Sequence, residues 1–142
     1  GLIFIDTLDQ LPPRVDNLGV LQLHASYLEG MVVMQGHIFL NPRGTGAAIK
    51  AFTPPRTSPE GTIARMPIQL SGIQLSGVLY ATGNITVTGQ AKVYGAVVTG
   101  GTITGTDARG ALEVWYDHDL GQGWFRGVPV VYRAPGTWVV KY

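Results

Sequence analysis

Cysteine is absent from this chain of 142 residues, and charged residues are scarce. The first absence excludes a disulfide framework and any zinc site built on thiolates. Charged residues make up 13% of the chain, against about 25% in an average soluble domain. The 10 Lys and Arg are scattered and the net charge is +1. The basic run that is typical of a dedicated nucleic-acid domain is therefore missing.

Long apolar runs and helical periodicity are also missing. No run of about 18 apolar residues is present, so we expect no membrane contact by this segment. No stretch has a convincing apolar period of about 3.6 residues, which excludes a helical bundle. The hydrophobic share of 45% is ample for a core, and 20 glycines accompany it. The chain begins at Gly1 inside a strand-like run, so we expect one excised or processed domain.

Residues 77–105 contain one glycine-punctuated pattern twice. The offset between the copies is constant, because Gly77 returns as Gly95, Gly83 as Gly101 and Ile85 as Ile103. A third copy lies upstream, with Gly30, Gly36 and Ile38 at the matching places. Self-similarity at a fixed period indicates a repeat architecture.

Each copy combines glycines, which we expect at corners, with a run of alternating apolar residues. Alternation with period two predicts a half-buried strand. A unit of about 18 residues is too short for strand, helix and strand, which needs about 30 residues. We therefore predict an all-β fold, a single-stranded parallel β-solenoid (β-helix) with coils of about 18 residues. Ile85 would then lie over Ile103 inside, with Asn84 over Thr102 and Thr86 over Thr104 outside.

The repeat predicts the layout of the whole chain. Residues 1–114 would form the coils, beginning with 1–18, 19–35 and 36 onward, because Gly1 and Gly19 open similar runs. The stretch from Gly36 to Gly83 exceeds two coils by about 11 residues, and we assign the excess to a proline-rich loop at about 53–67. Residues 115–142 would form an aromatic C-terminal cap over the last coil, through Trp124–Phe125 and Thr137–Val140. A binding platform is the alternative for that tail.

The sequence offers no catalytic constellation, and we predict a protein that is not an enzyme and has no cofactor or metal. Asp117-His118-Asp119 is interpreted as a polar turn rather than a metal site. His24 and His37 fall at different strand offsets, so they would not share a column. Outward threonines such as Thr86 and Thr104 resemble the rows of ice-binding solenoids, but only two coils carry them, and β propensity explains them.

Five basic residues are candidates for contact with DNA. Lys92 and Arg109 are separated by almost one period and would start a basic column on one side of the coils. Arg43 and the loop residues Arg56 and Arg65 complete the set. Two charges in a column would add little phosphate affinity by themselves.

Residues 75–120 resemble the C-terminal β-solenoid region of PilX-like type IV pilus-associated proteins. The stretch 77–87, GVLYATGNITV, resembles their recurring strand pair. Tyr116-Asp117-His118-Asp119-Leu120 resembles the Tyr-Asp-Pro-x-Leu that closes their repeats, with His118 in place of proline. A competence-associated minor pilin with a solenoid is the relative that the resemblance suggests.

The resemblance implies an extracellular place on a bacterial pilus, at the cell surface. The implied role is adhesion, or DNA capture and uptake in natural competence. The implied partners are other pilin subunits and extracellular DNA. The apolar N-terminal helix of the family is not in this sequence, so we expect the exported head or a part of it.

Two other function classes stay open. A carbohydrate-binding or polysaccharide-degrading β-helix module would gather acidic and basic residues on one coil face, and no such group is readable here. A bactofilin-like scaffold would stack end to end, and the aromatic, proline-containing tail argues against open ends.

Overall fold

The computed structural model describes residues 1–6, 18–61, 63–106, 111–121, 124–125 and 128–129. Most of the described residues lie in strands, which confirms the all-β class. The elements in chain order are β1 (Leu2–Asp6), β2 (Val20–Leu23), β3 (Leu28–Gln35), β4 (His37–Leu40), β5 (Ala47–Phe52), β6 (Arg56–Thr57), β7 (Ile63–Ala64), β8 (Pro67–Ile73), β9 (Leu75–Ala81), β10 (Ile85–Val87), β11 (Gln90–Thr99), β12 (Ile103–Gly105), β13 (Ala111–Tyr116), α1 (His118–Gly121), β14 (Trp124–Phe125) and β15 (Val128–Pro129).

Two parallel sheets form the body of the structure. The five-stranded sheet has the order β1-β3-β9-β11-β13, and the four-stranded sheet has the order β2-β4-β10-β12. Every strand pair within both sheets is parallel. Three times the chain passes from a strand of the larger sheet to the next strand of the smaller one through a short corner, from β3 to β4, β9 to β10 and β11 to β12.

The strand register confirms the repeat. Ile85 lies between Ile38 and Ile103, and all three strands run in the same direction. Leu75 pairs with Val93 in the larger sheet, at the same offset as Ile85 and Ile103. The predicted parallel layering of these copies is therefore confirmed.

The core lies between the inner faces of the two sheets. Strand β3 shows the alternation directly, because Val32 and Met34 are buried while Met31 and Val33 are partly exposed. Each strand contributes every second side chain to the core, as the period of two requires. The inward rows come from both sheets and include Val32, Met34, Ile38, Leu40, Leu75, Leu79, Ile85, Val87 and Val93.

Glycines at one inward position allow the layers of the larger sheet to approach closely. Gly30, Gly77 and Gly95 have φ of 135°, 143° and 141°, a region that residues with a Cβ rarely adopt. A Cβ on Gly95 would overlap the carbonyl oxygen of Gly77, and one on Gly77 would overlap that of Gly30. These glycines lie inside β3, β9 and β11, so the expectation that they mark corners is wrong for this column. Gly36 does lie at a corner, between β3 and β4.

The predicted division of the first coils is wrong. The strand after Gly1 belongs to the five-stranded sheet and pairs with β3, whereas the strand after Gly19 belongs to the four-stranded sheet and pairs with β4. The runs at 1–18 and 19–35 are therefore not successive copies of one coil. Both runs alternate in the same way, and periodicity alone does not tell which sheet a strand joins.

The prediction for residues 36–83 is also wrong in its layout. β4 neighbours β10 directly, so this stretch contains a single layer rather than two. The remaining residues form an antiparallel hairpin of β5 and β8, extended at its tip by β6 and β7. The predicted loop at 53–67 is the tip of this hairpin. Its antiparallel pairing involves residues 47–52 of β5.

The ends of the core are open in the described part of the chain. Ile103 follows the inward row of Ile38 and Ile85 but is 45% exposed, because β12 is the last strand of its sheet. Trp115 and Tyr116 are the last two residues of β13, and Trp124–Phe125 pair with β15 in a small antiparallel ribbon. The predicted cap at 115–142 stays a prediction, and its segment Thr137–Val140 lies outside the described residues.

Replacing Gly77 with Ala tests the close approach of the layers. We expect Gly77→Ala to lower the free energy of unfolding by about 3 kcal/mol or more, because strain at positive φ adds to a clash with the backbone of Gly30. Gly89→Ala is the matched control, since Gly89 has φ of 72° but open space around it, and it should cost only about 1–2 kcal/mol. Urea unfolding followed by circular dichroism measures both, and equal losses would contradict the account.

Candidate functional site

The outer surface of the four-stranded sheet is a regular array of polar side chains, which we call the polar face. Inward residues such as Ile38 and Ile85 are buried, so their neighbours point outward. In layer order the three outward rows are Val20–His37–Asn84–Thr102, Gln22–Phe39–Thr86–Thr104 and His24–Asn41–Thr88–Thr106. The predicted stacking of Asn84 with Thr102 and of Thr86 with Thr104 is confirmed. None of the side chains in these rows is Lys, Arg, Asp or Glu.

Hydrogen bonds between layers hold the two outer rows of the polar face in place. The backbone N–H of Asn84 donates to His37 Nδ1 at 2.8 Å, and the backbone N–H of Thr102 donates to Asn84 Oδ1 at 3.0 Å. In the other outer row the hydroxyls of Thr88 and Thr106 lie 2.7 Å apart. His24 and His37 occupy different rows, as predicted. The array is therefore ordered before any ligand binds.

The outer surface of the five-stranded sheet carries an exposed apolar area, which we call the apolar face. The register aligns two rows across four strands, Leu2–Met31–Val78–Ala96 and Phe4–Val33–Tyr80–Val98. Leu2 is 68% exposed and Phe4 57% exposed. Contiguous exposed apolar areas on soluble domains commonly mark contact sites for other proteins.

The hairpin of β5 and β8 covers the other part of the same sheet surface. Its side chains Ile49, Leu70 and Ile73 form a second buried cluster with Tyr94 of β11. Ser76, which pairs with Tyr94 in the register, is fully buried in this region. The hairpin therefore packs on the sheet beside the apolar face and leaves that face uncovered among the described residues.

Tyr94 and Asp117 form a polar pair beside this second cluster. Burial raises the pKa of Tyr94 first, and the nearby negative charge of Asp117 raises it further. Asp117 is 5% exposed, and its Oδ1 accepts the backbone N–H of Asp119 at 3.1 Å, which caps the start of α1. The pair fixes the turn that follows β13 against the surface of β11.

Arg65 joins the hairpin tip to α1. Its Nη1 lies 2.9 Å from Asp119 Oδ1, and its Nε donates to the carbonyl oxygen of Thr53 at 3.4 Å. The guanidinium carbon also lies 5.3 Å from the centroid of the Phe52 ring. Arg65 thus has a structural set of contacts in addition to its predicted role toward DNA.

The described DNA candidates lie on different elements of the fold. Lys92 lies on the outer side of β11 and forms an ion pair of 3.4 Å with Glu113. Arg56 is exposed at the hairpin tip, on the strand that pairs with β7, and Arg43 is exposed after β4. Arg109 lies outside the described residues.

The predicted basic column of Lys92 and Arg109 includes a residue outside the described ones and stays a prediction. The register pairs Lys92 with Glu113, which lies more than one period further along the chain. A carboxylate therefore lies opposite this lysine. The role of the five candidates in DNA binding stays a prediction.

Sequence reasoning missed the Arg65–Asp119 and Tyr94–Asp117 contacts. Arg65 and Asp119 are far apart in the chain and belong to no repeat, so no spacing rule connects them. The apolar face was readable in principle, because Phe4, Val33 and Tyr80 occupy outward positions of strands that alternate. That signal needed the correct pairing of β1 with β3, which the sequence did not supply.

Neither a metal cluster nor a membrane-spanning helix occurs within the described ranges. No group of three or more His, Cys, Asp or Glu residues there has the arrangement to hold a metal ion. No helix in that part of the chain is long and apolar enough to cross a bilayer.

The Tyr94 pair predicts a specific loss of stability in alkali. Because the pKa of Tyr94 is raised in the folded state, this residue ionises at a lower pH in the unfolded chain than in the folded one. Between the two pKa values the folded state therefore binds more protons than the unfolded state. The contribution of Tyr94 to the free energy of unfolding is fully present below its ordinary pKa of 10.0. It is lost as the pH rises through the raised pKa of the folded state. We expect Tyr94→Phe to lose less stability than the wild type on going from about pH 9 to about pH 11.

Urea unfolding at both pH values measures this difference. Tyr80→Phe is the control, because Tyr80 lies on the apolar face and is 36% exposed. An unchanged pH dependence in Tyr94→Phe would contradict the proposed coupling.

Comparisons of the chain with protein-family models, with curated proteins and with solved structures each gave no match. The functional assignment therefore rests on the geometry of the two outer faces and on the motifs of the sequence. Both faces depend on the same strand register.

Proposed function

We propose that this chain is a β-solenoid domain of a pilus-associated surface protein, which acts in adhesion and not in catalysis. In this proposal the two parallel sheets are two sides of one coil. The observation that supports the coil most directly is the shared order of the layers in the two sheets, with Ile38, Ile85 and Ile103 in one parallel row. A corner connects the sheets within each of the three central layers.

The two outer faces support two separate contacts within this function, one with another subunit and one with a ligand. The apolar face fits contact with another subunit of the pilus, because exposed apolar side chains are stabilised by burial in an interface. The polar face lies on the other sheet and is left for a ligand at the cell surface. The hairpin of β5 and β8 covers part of the five-stranded sheet and so delimits the apolar face.

DNA capture is the second role that the sequence resemblance implies. Arg43 and Arg56 are exposed in the structure, which supports keeping them as candidates, while Lys92 and Arg65 have ion-pair partners. The absence of Lys and Arg from the polar face favours adhesion over DNA capture, since phosphate neutralisation dominates affinity for nucleic acid.

A charge placed on the apolar face tests the pilus proposal. In the source bacterium the wild-type protein should appear in the sheared pilus fraction, and Val98→Lys should reduce its amount there about tenfold, because an unpaired lysine would be buried in the subunit contact. Val98 is 47% exposed, so the substitution should leave the fold intact. Immunoblotting of sheared and whole-cell fractions measures the effect.

Thr104→Lys is the matched control, since Thr104 is exposed on the polar face. It should be retained in the pilus fraction at the wild-type level. Absence of the wild-type protein from sheared pili would overturn the pilus assignment, and normal incorporation of Val98→Lys would overturn the role of the apolar face.

A further inference from the structure

The polar face is a regular array of side chains that contains no Lys, Arg, Asp or Glu. With layers about 4.8 Å apart and alternate residues about 6.6 Å apart along a strand, it measures roughly 14 Å by 13 Å. Its side chains are mostly hydroxyls, amides and imidazoles, with Val20 at one corner and one aromatic ring, that of Phe39. This composition differs sharply from the apolar face on the other sheet. We propose that the polar face binds an uncharged polysaccharide.

Phe39 is the aromatic residue of the polar face. It occupies the middle row between Gln22 of β2 and Thr86 of β10, and its side chain is half-buried. It points away from the core, so the inner packing of Ile38 and Leu40 does not account for it. A ring that is partly exposed within a polar surface offers an apolar platform. The C–H face of a sugar ring has the shape and character to stack on it.

The hydroxyls beside Phe39 are available for a ligand. Within the described part of the chain, neither Thr86 nor Thr104 has a side-chain hydrogen-bond partner. The hydroxyls of Thr88 and Thr106 are instead hydrogen-bonded to each other, and Asn84 Oδ1 accepts a hydrogen bond from the backbone N–H of Thr102. The outer rows are thus occupied in holding the layers together, while the middle row presents both unused hydroxyls and the aromatic ring. Sugar hydroxyl groups can donate to these oxygens and accept from them.

The absence of Lys, Arg, Asp and Glu from the polar face favours one class of polymer as its ligand. Its rows contain no permanent cation that would neutralise phosphate, sulfate or carboxylate groups, and no carboxylate that would attract a cationic chain. Arg43 lies next to the face, because its backbone N–H donates to the carbonyl oxygen of His24 at 3.3 Å. Binding of an uncharged chain avoids the cost of leaving ligand charges unpaired. A neutral glycan is therefore favoured over DNA.

The inference deepens the adhesion part of the proposed function, on which it rests, by naming the ligand class. Its test uses the 142-residue chain alone, so failure of the pilus assignment would not affect the result. Conversely, loss of glycan binding would leave the pilus-fraction experiment unchanged. The two proposals can therefore fail separately.

Affinity electrophoresis in native gels tests the proposal. The gels contain hydroxyethyl cellulose, xyloglucan, galactomannan or dextran as neutral polysaccharides, and alginate as an anionic comparator. A double-stranded DNA fragment is tested by gel shift at low salt. We expect retardation by at least one neutral polymer, little dependence on salt, and no retardation by alginate or shift of the DNA.

Two variants locate the binding surface. Phe39→Leu keeps an apolar side chain but removes the ring, and Thr86→Val with Thr104→Val removes both unused hydroxyls while keeping β-branched shape. Each should weaken retardation about fivefold or more. The controls are Phe52→Leu and Thr57→Val on the hairpin, which should bind as the wild type does. Thermal unfolding of every variant confirms that it is folded.

The possible outcomes separate cleanly. Neutral-polymer binding that both face variants lose and both hairpin controls keep supports the proposal. Lack of retardation by every neutral polymer overturns it. Retardation that the face variants leave unchanged, or binding only to alginate or DNA, also overturns it.

Discussion

The structure depends on how closely the backbone of one layer approaches the next at a single column of glycines. At Gly30, Gly77 and Gly95 the carbonyl oxygen of the preceding layer occupies the space that a Cβ would need. This contact fixes which residue of each strand lies above which, because a shift of one residue would bring a side chain into that space. The aliphatic row of Ile38, Ile85 and Ile103 in the other sheet keeps the same order of layers.

The fixed strand register also aligns the outward side chains of successive strands, so each sheet has an outer surface of its own composition. In a parallel stack every outward row repeats the same strand position, so residue types chosen at a few positions become continuous faces. The four-stranded sheet gathers Gln22, Phe39, Thr86 and Thr104 into a neutral polar row. The five-stranded sheet gathers Phe4, Val33, Tyr80 and Val98 into an apolar one. The proposed division between subunit contact and ligand contact has its physical origin here.

The sequence predicted those parts of the fold that repeat at a constant offset. The parallel pairing of Ile85 with Ile103 followed from the period, because both glycines and aliphatic residues recur at it. The hairpin of β5 and β8 did not follow, since its strands alternate as a coil strand does and only the pairing partner differs. The site was predicted less well. Lys92 faces Glu113 and Arg65 contacts Asp119, contacts that span distances outside any repeat.

Disulfide formation between layers tests the central claim, the parallel register of β10 and β12, most directly. The chain has no native cysteine, so paired substitutions report only on the chosen positions. The account predicts that Thr86→Cys with Thr104→Cys, and separately Thr88→Cys with Thr106→Cys, both form intramolecular disulfides under mild oxidation. An antiparallel or shifted pairing could satisfy at most one of these pairs. Formation of only one disulfide, or of neither, would contradict the stacked arrangement.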